Sequence, residues 1–155
     1  MLRKKIFIAN DHAGFELKTK LCAFFDSANL NYEDLGAHDT QSCDYADFAH
    51  KLAACIDENS FGAACIDENS FGVLVCGSGI GMSIAANKNL GIRCALCSET
   101  LSAKLARAHN DANVLALGGR LIGAQMAVDI VETFIKTSFE GGRHRARIAK
   151  IEEQR

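Results

Sequence analysis

No part of the 155-residue chain approaches the roughly 18 consecutive apolar residues that a membrane-spanning helix requires, although 48% of its residues are hydrophobic. A membrane partner is therefore not expected. Neither sign of charge dominates: 17 basic side chains stand against 19 acidic ones, the formal net charge is -2, and no long run of either sign occurs. That balance argues against a protein that coats nucleic acid. The amino-terminal residues Met1 to Ile8 combine a charged cluster with only a short apolar run, which is not the pattern of a secretory signal. The expectation is a mature, soluble, cytoplasmic protein. Seven cysteines, an odd number, fit no tidy disulfide framework and read as reduced thiols, leaving at least one for chemistry. What remains is one compact domain over residues 1–155, long enough to bury a real core.

Short apolar runs alternate with segments of helical period. Lys5 to Ala9, Asn31 to Leu35, Val73 to Cys76, Ile92 to Cys97 and Asn113 to Leu117 read as strands. Helices are predicted over Gly14 to Ala28, from Tyr45 onward, over Gly81 to Asn87, Thr100 to Ala108 and Gln125 to Ile135, with a terminal helix opened by Glu140 to Arg147. Five strands with helical crossovers predict an α/β fold: an open, doubly wound, Rossmann-like parallel sheet of five strands, helices on both faces and a helix at the carboxyl terminus. Ligands of such sheets bind beyond the carboxyl ends of the strands, so function is to be sought there.

Within residues 53–72 a decapeptide, AACIDENSFG, occurs twice in tandem without a change. Two copies of so short a period make no repeat architecture. Asn59, Ser60 and Gly62 break helices, and loops accept insertions more readily than core elements. The second copy, Ala63 to Gly72, is expected to form a surface excursion between helix and strand.

The residues that could carry chemistry follow the predicted strands. Asn10-Asp11-His12-Ala13-Gly14 ends the first, where Asp11 could cap a helix or, with His12, meet an anionic ligand. Val73 to Cys76 delivers a cysteine into Gly77-Ser78-Gly79-Ile80-Gly81, whose glycines let backbone amides approach a ligand. Cys76 is expected partly exposed in an amide-rich loop, a setting that favours the thiolate; a structural cysteine before a tight turn is the plainer reading. Gly77, Gly79 and Gly81 also spell GxGxG, but after the third strand and with the wrong third spacing for a dinucleotide fingerprint. Cys94 and Cys97 spell CxxC within a strand, where their side chains point to opposite faces, so neither a redox pair nor a metal half-site is expected. His109-Asn110-Asp111, placed after a helix, offers a general acid or base, or simply a solvated turn. Arg120 follows the fifth strand, and Arg143 and Arg147, four residues apart on one helical face, could grip one phosphate.

Asn10 to Gly14, Cys76 to Lys88, Gly91 to Ala95, His109 to Leu115 and Glu140 to Arg147 together resemble type B ribose-5-phosphate isomerases, in order along nearly the whole chain. The resemblance implies an aldose–ketose isomerase that interconverts ribose 5-phosphate and ribulose 5-phosphate through an enediolate. It implies Cys76 as the base that shuttles the carbon-bound proton, and Ser78 with the amides of Gly77, Gly79, Ile80 and Gly81 as stabilisers of the negative oxygen. His109, with Asp11 placed to help, opens the sugar ring. His12, Arg143 and Arg147 hold the phosphate, and Asn110 and Arg120 complete the substrate site. It implies neither metal nor cofactor, and a homodimer or homotetramer whose active sites are built across the subunit interface.

This sequence departs from the family in carrying Ser78 where threonine is usual, Ala46 where a proline is common, no proline anywhere, and about ten extra residues before the Cys76 strand. Galactose-6-phosphate and allose-6-phosphate isomerases share the same fold and mechanism and remain alternatives. A nucleotide-binding reductase using the Gly77 to Gly81 loop would leave Cys76 idle.

Overall fold

A computed structural model describes residues 5–58 and 70–153. The strands are β1 (Lys5–Asn10), β2 (Tyr32–Asp34), β3 (Ser70–Cys76), β4 (Cys94–Leu96) and β5 (Val114–Gly118). The helices are α1 (Phe15–Ser27), α2 (Tyr45–Glu58), α3 (Ile80–Ala86), α4 (Thr100–Asn110), α5 (Ala124–Lys136) and α6 (Arg143–Glu152), and a single 3-10 turn, His12–Gly14, precedes α1. The strands form one parallel sheet in the order β2-β1-β3-β5-β4. Parallel sheets are covered on both faces, which is why β3 and β5 are buried at every residue and read as unbroken runs instead of alternating ones.

Two apolar layers flank the sheet. Leu17, Leu21 and Phe25 of α1, Ala103 and Ala106 of α4, and Ala127, Ile130, Val131 and Phe134 of α5 pack on one face. Ala49, Leu52, Ala53 and Ile56 of α2 and Met82, Ala85 and Ala86 of α3 pack on the other. The helices that follow β1 and β3, adjacent strands, thus lie on opposite faces. This makes the carboxyl ends of those strands the switch point, the position at which doubly wound sheets bind ligands. Among the described residues no helix is long and apolar enough to cross a membrane.

β2 and β4 are shorter than expected, at Tyr32–Asp34 and Cys94–Leu96, and two further boundaries differ in ways that matter more. β3 starts at Ser70, so Ser70, Phe71 and Gly72 of the second decapeptide belong to the sheet and not to a surface excursion. Phe71 is 2% exposed and packs edge-on against Phe134, with ring centroids 5.6 Å apart. At Gly72 a side chain would lie 2.6 Å from Leu52 Cδ2, so the absence of a side chain at this position is what lets α2 approach the strand. The first copy contributes Ala53 and Ile56 to α2 and the second contributes the start of β3; the rest of the expected excursion, residues 59–69, lies outside the described residues. Deleting Ala63 to Gly72 brings Ser60-Phe61-Gly62 directly before Val73, so one copy can supply both elements. The expected outcome is an unchanged fold and turnover, with a melting temperature equal or a few degrees higher because a shorter loop loses less entropy on closure. A lower melting temperature by calorimetry would show that the extra ten residues contribute packing.

α4 is also longer than predicted. It runs to Asn110, which puts His109 in its last turn, not in a loop after it, and Asp111 closes the helix in the left-handed conformation at φ 46°.

Candidate active site

Three loops meet at the carboxyl ends of β1, β3 and β5. Cys76 is the last residue of β3 and pairs with Gly118 of β5. Its carbonyl accepts a hydrogen bond from the Gly119 amide at 2.7 Å, and the Gly77 carbonyl accepts one from the Arg120 amide at 3.0 Å. The third loop arrives from β1: a Cβ on Gly119 would lie 3.2 Å from the Ala13 carbonyl oxygen, and one on Gly77 would touch both the Ala13 methyl group and the Arg120 guanidinium at 3.5 Å. Arg120 thus lies over the glycine loop beside Cys76.

The sulfur is held by the loop itself. The Gly79 amide donates to Cys76 Sγ at 3.1 Å, a contact that stabilises negative charge on sulfur. Gly79 can turn its amide there because it sits at φ 77°, and a side chain would run into Leu96 at 2.6 Å and the Leu117 backbone at 2.9 Å. The Ser78 hydroxyl accepts from the Ile80 amide at 3.3 Å. Cys76 is only 3% exposed in the single chain, which corrects the expectation of partial exposure. The cause is its place on a central strand, covered by α3 and the β5 loop.

Asp11 is committed as the cap of the 3-10 turn: its Oδ1 accepts from the Gly14 amide at 3.0 Å, and the side chain is buried. His12 Nδ1 lies 3.3 Å from the backbone N and O of Cys43. One residue of this cluster escaped the sequence reading. Tyr45, the first residue of α2, lays its ring over Gly81, where a Cβ would be 2.5 Å from Cζ. Only the glycine at position 81 hinted that something approaches closely.

The remaining sequence candidates lie elsewhere. All strands point one way and α4 and α5 run back against them, so the end of α4 and the turn into α6 sit at the amino edge of the sheet, roughly 15 to 20 Å from Cys76 at about 3.3 Å per strand residue. His109, Asn110, Arg143 and Arg147 gather there, with both arginines exposed. The His109 and His144 rings stack with centroids 4.5 Å apart and planes at 12°. Arg93 and Arg107, both buried and both overlooked as local features, fix this edge. Arg93 donates to the Asn110 carbonyl at 3.1 Å and the Asp111 carbonyl at 2.8 Å, and pairs with Asp111 and with Glu152 of α6 at 3.2 Å. Arg107 binds Asp111 Oδ1 at 2.8 Å and the Ala112 carbonyl at 2.6 Å. The sequence candidates of one chain therefore fall into two groups at opposite ends of its sheet.

Cys94 and Cys97 belong to neither group. β4 stops at Leu96, so only Cys94 lies in the strand expected to hold both; Cys94 packs against the α2/α3 layer and Cys97, just beyond the strand, belongs to the α1/α4/α5 layer. Burial pushes both thiols up, away from the thiolate form that redox chemistry needs. No disulfide joins the described cysteines.

A sequence profile of the family described as Ribose/Galactose Isomerase matches residues 6–151. The chain belongs to that family. Ribose-5-phosphate isomerase B of Escherichia coli is 40% identical over 148 residues, covering 96% of this chain and 94% of that protein. The crystal structure of a ribose 5-phosphate isomerase from Thermotoga maritima superposes with a TM-score of 0.89 at 50% identity and covers 97% of this chain and 98% of its own. That of ribose-5-phosphate isomerase B from Mycoplasma genitalium, with bound ribulose-5-phosphate, superposes at 0.89 with 38% identity, covering 99% and 97%. Membership makes the chain an aldose–ketose isomerase and places the Gly77 to Gly81 loop in an isomerase, not in a nucleotide-binding reductase.

Proposed function

We propose that this single 155-residue domain interconverts ribose 5-phosphate and ribulose 5-phosphate, with Cys76 as the base. The observation that carries the reading is the buried sulfur at the end of β3 with the Gly79 amide donating to it at 3.1 Å, in a loop that also meets Arg120 and the β1 turn. The thiolate takes the proton from carbon 2 of the open-chain aldose and returns it to carbon 1, while the hydroxyl proton moves from O2 to O1. Substrate and product are isomers, so nothing else is gained or lost. Negative charge on the enediolate oxygen falls to the Ser78 hydroxyl and the amides of the Gly77 to Gly81 loop, within which the Gly79 amide already serves Cys76 Sγ and the Ile80 amide Ser78 Oγ. His109 moves the proton between the anomeric hydroxyl and the ring oxygen during opening, with Asp11 assisting. His12, Arg143 and Arg147 hold the phosphate, and Asn110, Arg120 and Tyr45 wall the sugar.

A second copy of the chain completes this site. His109 and the paired arginines of one chain sit a sheet's length from its own Cys76, and an isologous pair brings each half-site to the other's complement. Exposed apolar side chains support such pairing: Ile80 and Ile84 of α3, Leu101 of α4 and Leu121 after β5 are each more than half exposed in the single chain.

Steady-state kinetics test the reading. The expected result is isomerisation of ribose 5-phosphate with a higher kcat/KM than for allose 6-phosphate or galactose 6-phosphate, since one extra hydroxymethylene must fit between the phosphate grip and Cys76. Preference for a six-carbon substrate would reassign the substrate and leave the chemistry in place.

A further inference from the structure

The edge that carries His109 holds more than proton transfer needs. Glu140 and His144 belong to none of the proposed steps, yet α6 begins so that both face His109. The Glu140 amide donates to the Ala108 carbonyl at 3.0 Å, and the left-handed Gly141 and Gly142 turn the chain back over the end of α4. Glu140 Oε2 then lies 3.7 Å from His109 Nε2 and 3.7 Å from His144 Nε2. One donor atom from each of the three residues lies within 4.8 Å of the others.

From this juxtaposition we propose that His109, Glu140 and His144 form a binding site for a divalent ion of the zinc class, whose occupancy withdraws the His109 imidazole from ring opening and so inhibits the enzyme. Two imidazole nitrogens and one carboxylate oxygen are a donor set that zinc takes, with a fourth position left to water. Zinc bonds of about 2.0 to 2.2 Å in a tetrahedral arrangement put donors roughly 3.3 Å apart, so each contact to Glu140 closes by less than half an ångström. The two rings must tilt out of their stack for their lone pairs to converge. The freedom to do so lies with His109 and Glu140, whose side chains are 37% and 60% exposed. His144, at 6% exposure, is the fixed ligand. Burial and the neighbouring His109, Arg143 and Arg147 push its pKa below the usual imidazole range, against an opposing effect of Glu140. Arg143 and Arg147 oppose a dication, but both are exposed and screened by solvent and salt.

Binding stands on the geometry alone, whereas inhibition rests on the role proposed for His109. Titrating the whole protein with cobalt(II), followed by visible absorption and by competition with zinc, is expected to give one ion per chain. Glu140→Gln and His144→Gln are each expected to weaken binding by about tenfold or more, since even outer partners of a metal site cost about 10- to 100-fold. Turnover should fall at least about tenfold at saturating zinc, recover with chelator, and persist in Glu140→Gln at the same zinc concentration. If cobalt and zinc do not bind, or bind both variants as tightly as the parent, with the ion on thiols, the site is overturned and the isomerase reading stands. If zinc binds at the site and turnover does not change, inhibition is overturned together with the part assigned to His109. Should His144→Gln fail to fold, the exposed Glu140 carries the test. Absence of turnover in the metal-free parent would sink the isomerase reading and leave the binding result to stand.

Discussion

Replacing Cys76 by alanine is expected to lower kcat on ribose 5-phosphate by about 10²- to 10⁴-fold, the range for loss of a positioned general base, with KM little changed. The split follows from the geometry. The phosphate grip proposed for His12, Arg143 and Arg147 does not involve the sulfur, so substrate still binds. The change removes one atom from a side chain that is 3% exposed and whose polar partner is the Gly79 amide. That amide then faces a small void, which costs about 1 to 3 kcal/mol and leaves the sheet in place. Cys76→Ser is the stricter variant, because it keeps the volume and a polar atom for the Gly79 amide but replaces a thiol with a hydroxyl that scarcely ionises near neutral pH. Both variants should be folded by circular dichroism and nearly inactive. Turnover comparable with the parent in either one would remove the cysteine from its role.

Gly14→Ala is expected to have the largest effect on stability. Gly14 has φ -91°, which any residue adopts, so the penalty is one of space and not of conformation. A Cβ there would stand 2.2 Å from the Val75 carbonyl oxygen and 2.5 Å from its carbon. Those are backbone atoms of the central strand and cannot rotate aside. The turn cannot move freely either, because the Gly14 amide donates to Asp11 Oδ1 at 3.0 Å and the Asp11 amide donates to the same Val75 carbonyl at 3.2 Å. Overpacking of this kind costs about 3 kcal/mol, the upper end of its usual range, equivalent to a fall of roughly 6 to 12 °C in melting temperature for a chain of this length. Gly123→Ala, where nothing lies within 4 Å of the added methyl group, should cost under about 1 kcal/mol. Equal melting temperatures for the two variants would show that the β1 turn relaxes freely away from β3. Activity should fall with stability in Gly14→Ala, because the displaced turn is the one that meets Gly77 and Gly119 beside Cys76.

Much of this was legible along the chain. A fully buried strand is written as an unbroken apolar run, so Val73 to Cys76 and Asn113 to Leu117 stood out, and the glycines after Cys76 marked a loop shaped for close approach of backbone. The start of β3 at Ser70 was not legible. Phe71 and Gly72 owe their place to Phe134 and Leu52, partners distant in sequence, and a local reading of Ser-Phe-Gly has no apolar run that marks a strand. Arg93 escaped notice for the same reason, since a lone arginine near an edge strand gives no sign that it will be buried against the Asn110 and Asp111 carbonyls and Glu152. Tyr45 and His144 likewise carry no local pattern that sets them beside Gly81 and His109.

Residue order alone thus determined the alternation of strands and helices, the parallel sheet they imply, and the chemical types waiting at the strand ends, because hydrophobic period and glycine placement are local properties. The separation of the candidate residues was decided by tertiary structure. A helix that returns along a parallel sheet carries its last turn to the opposite edge, so His109 and Cys76, both prominent in the sequence, cannot meet within one chain. Distance across a fold depends on the direction in which each element runs, and that is set only when the elements pack.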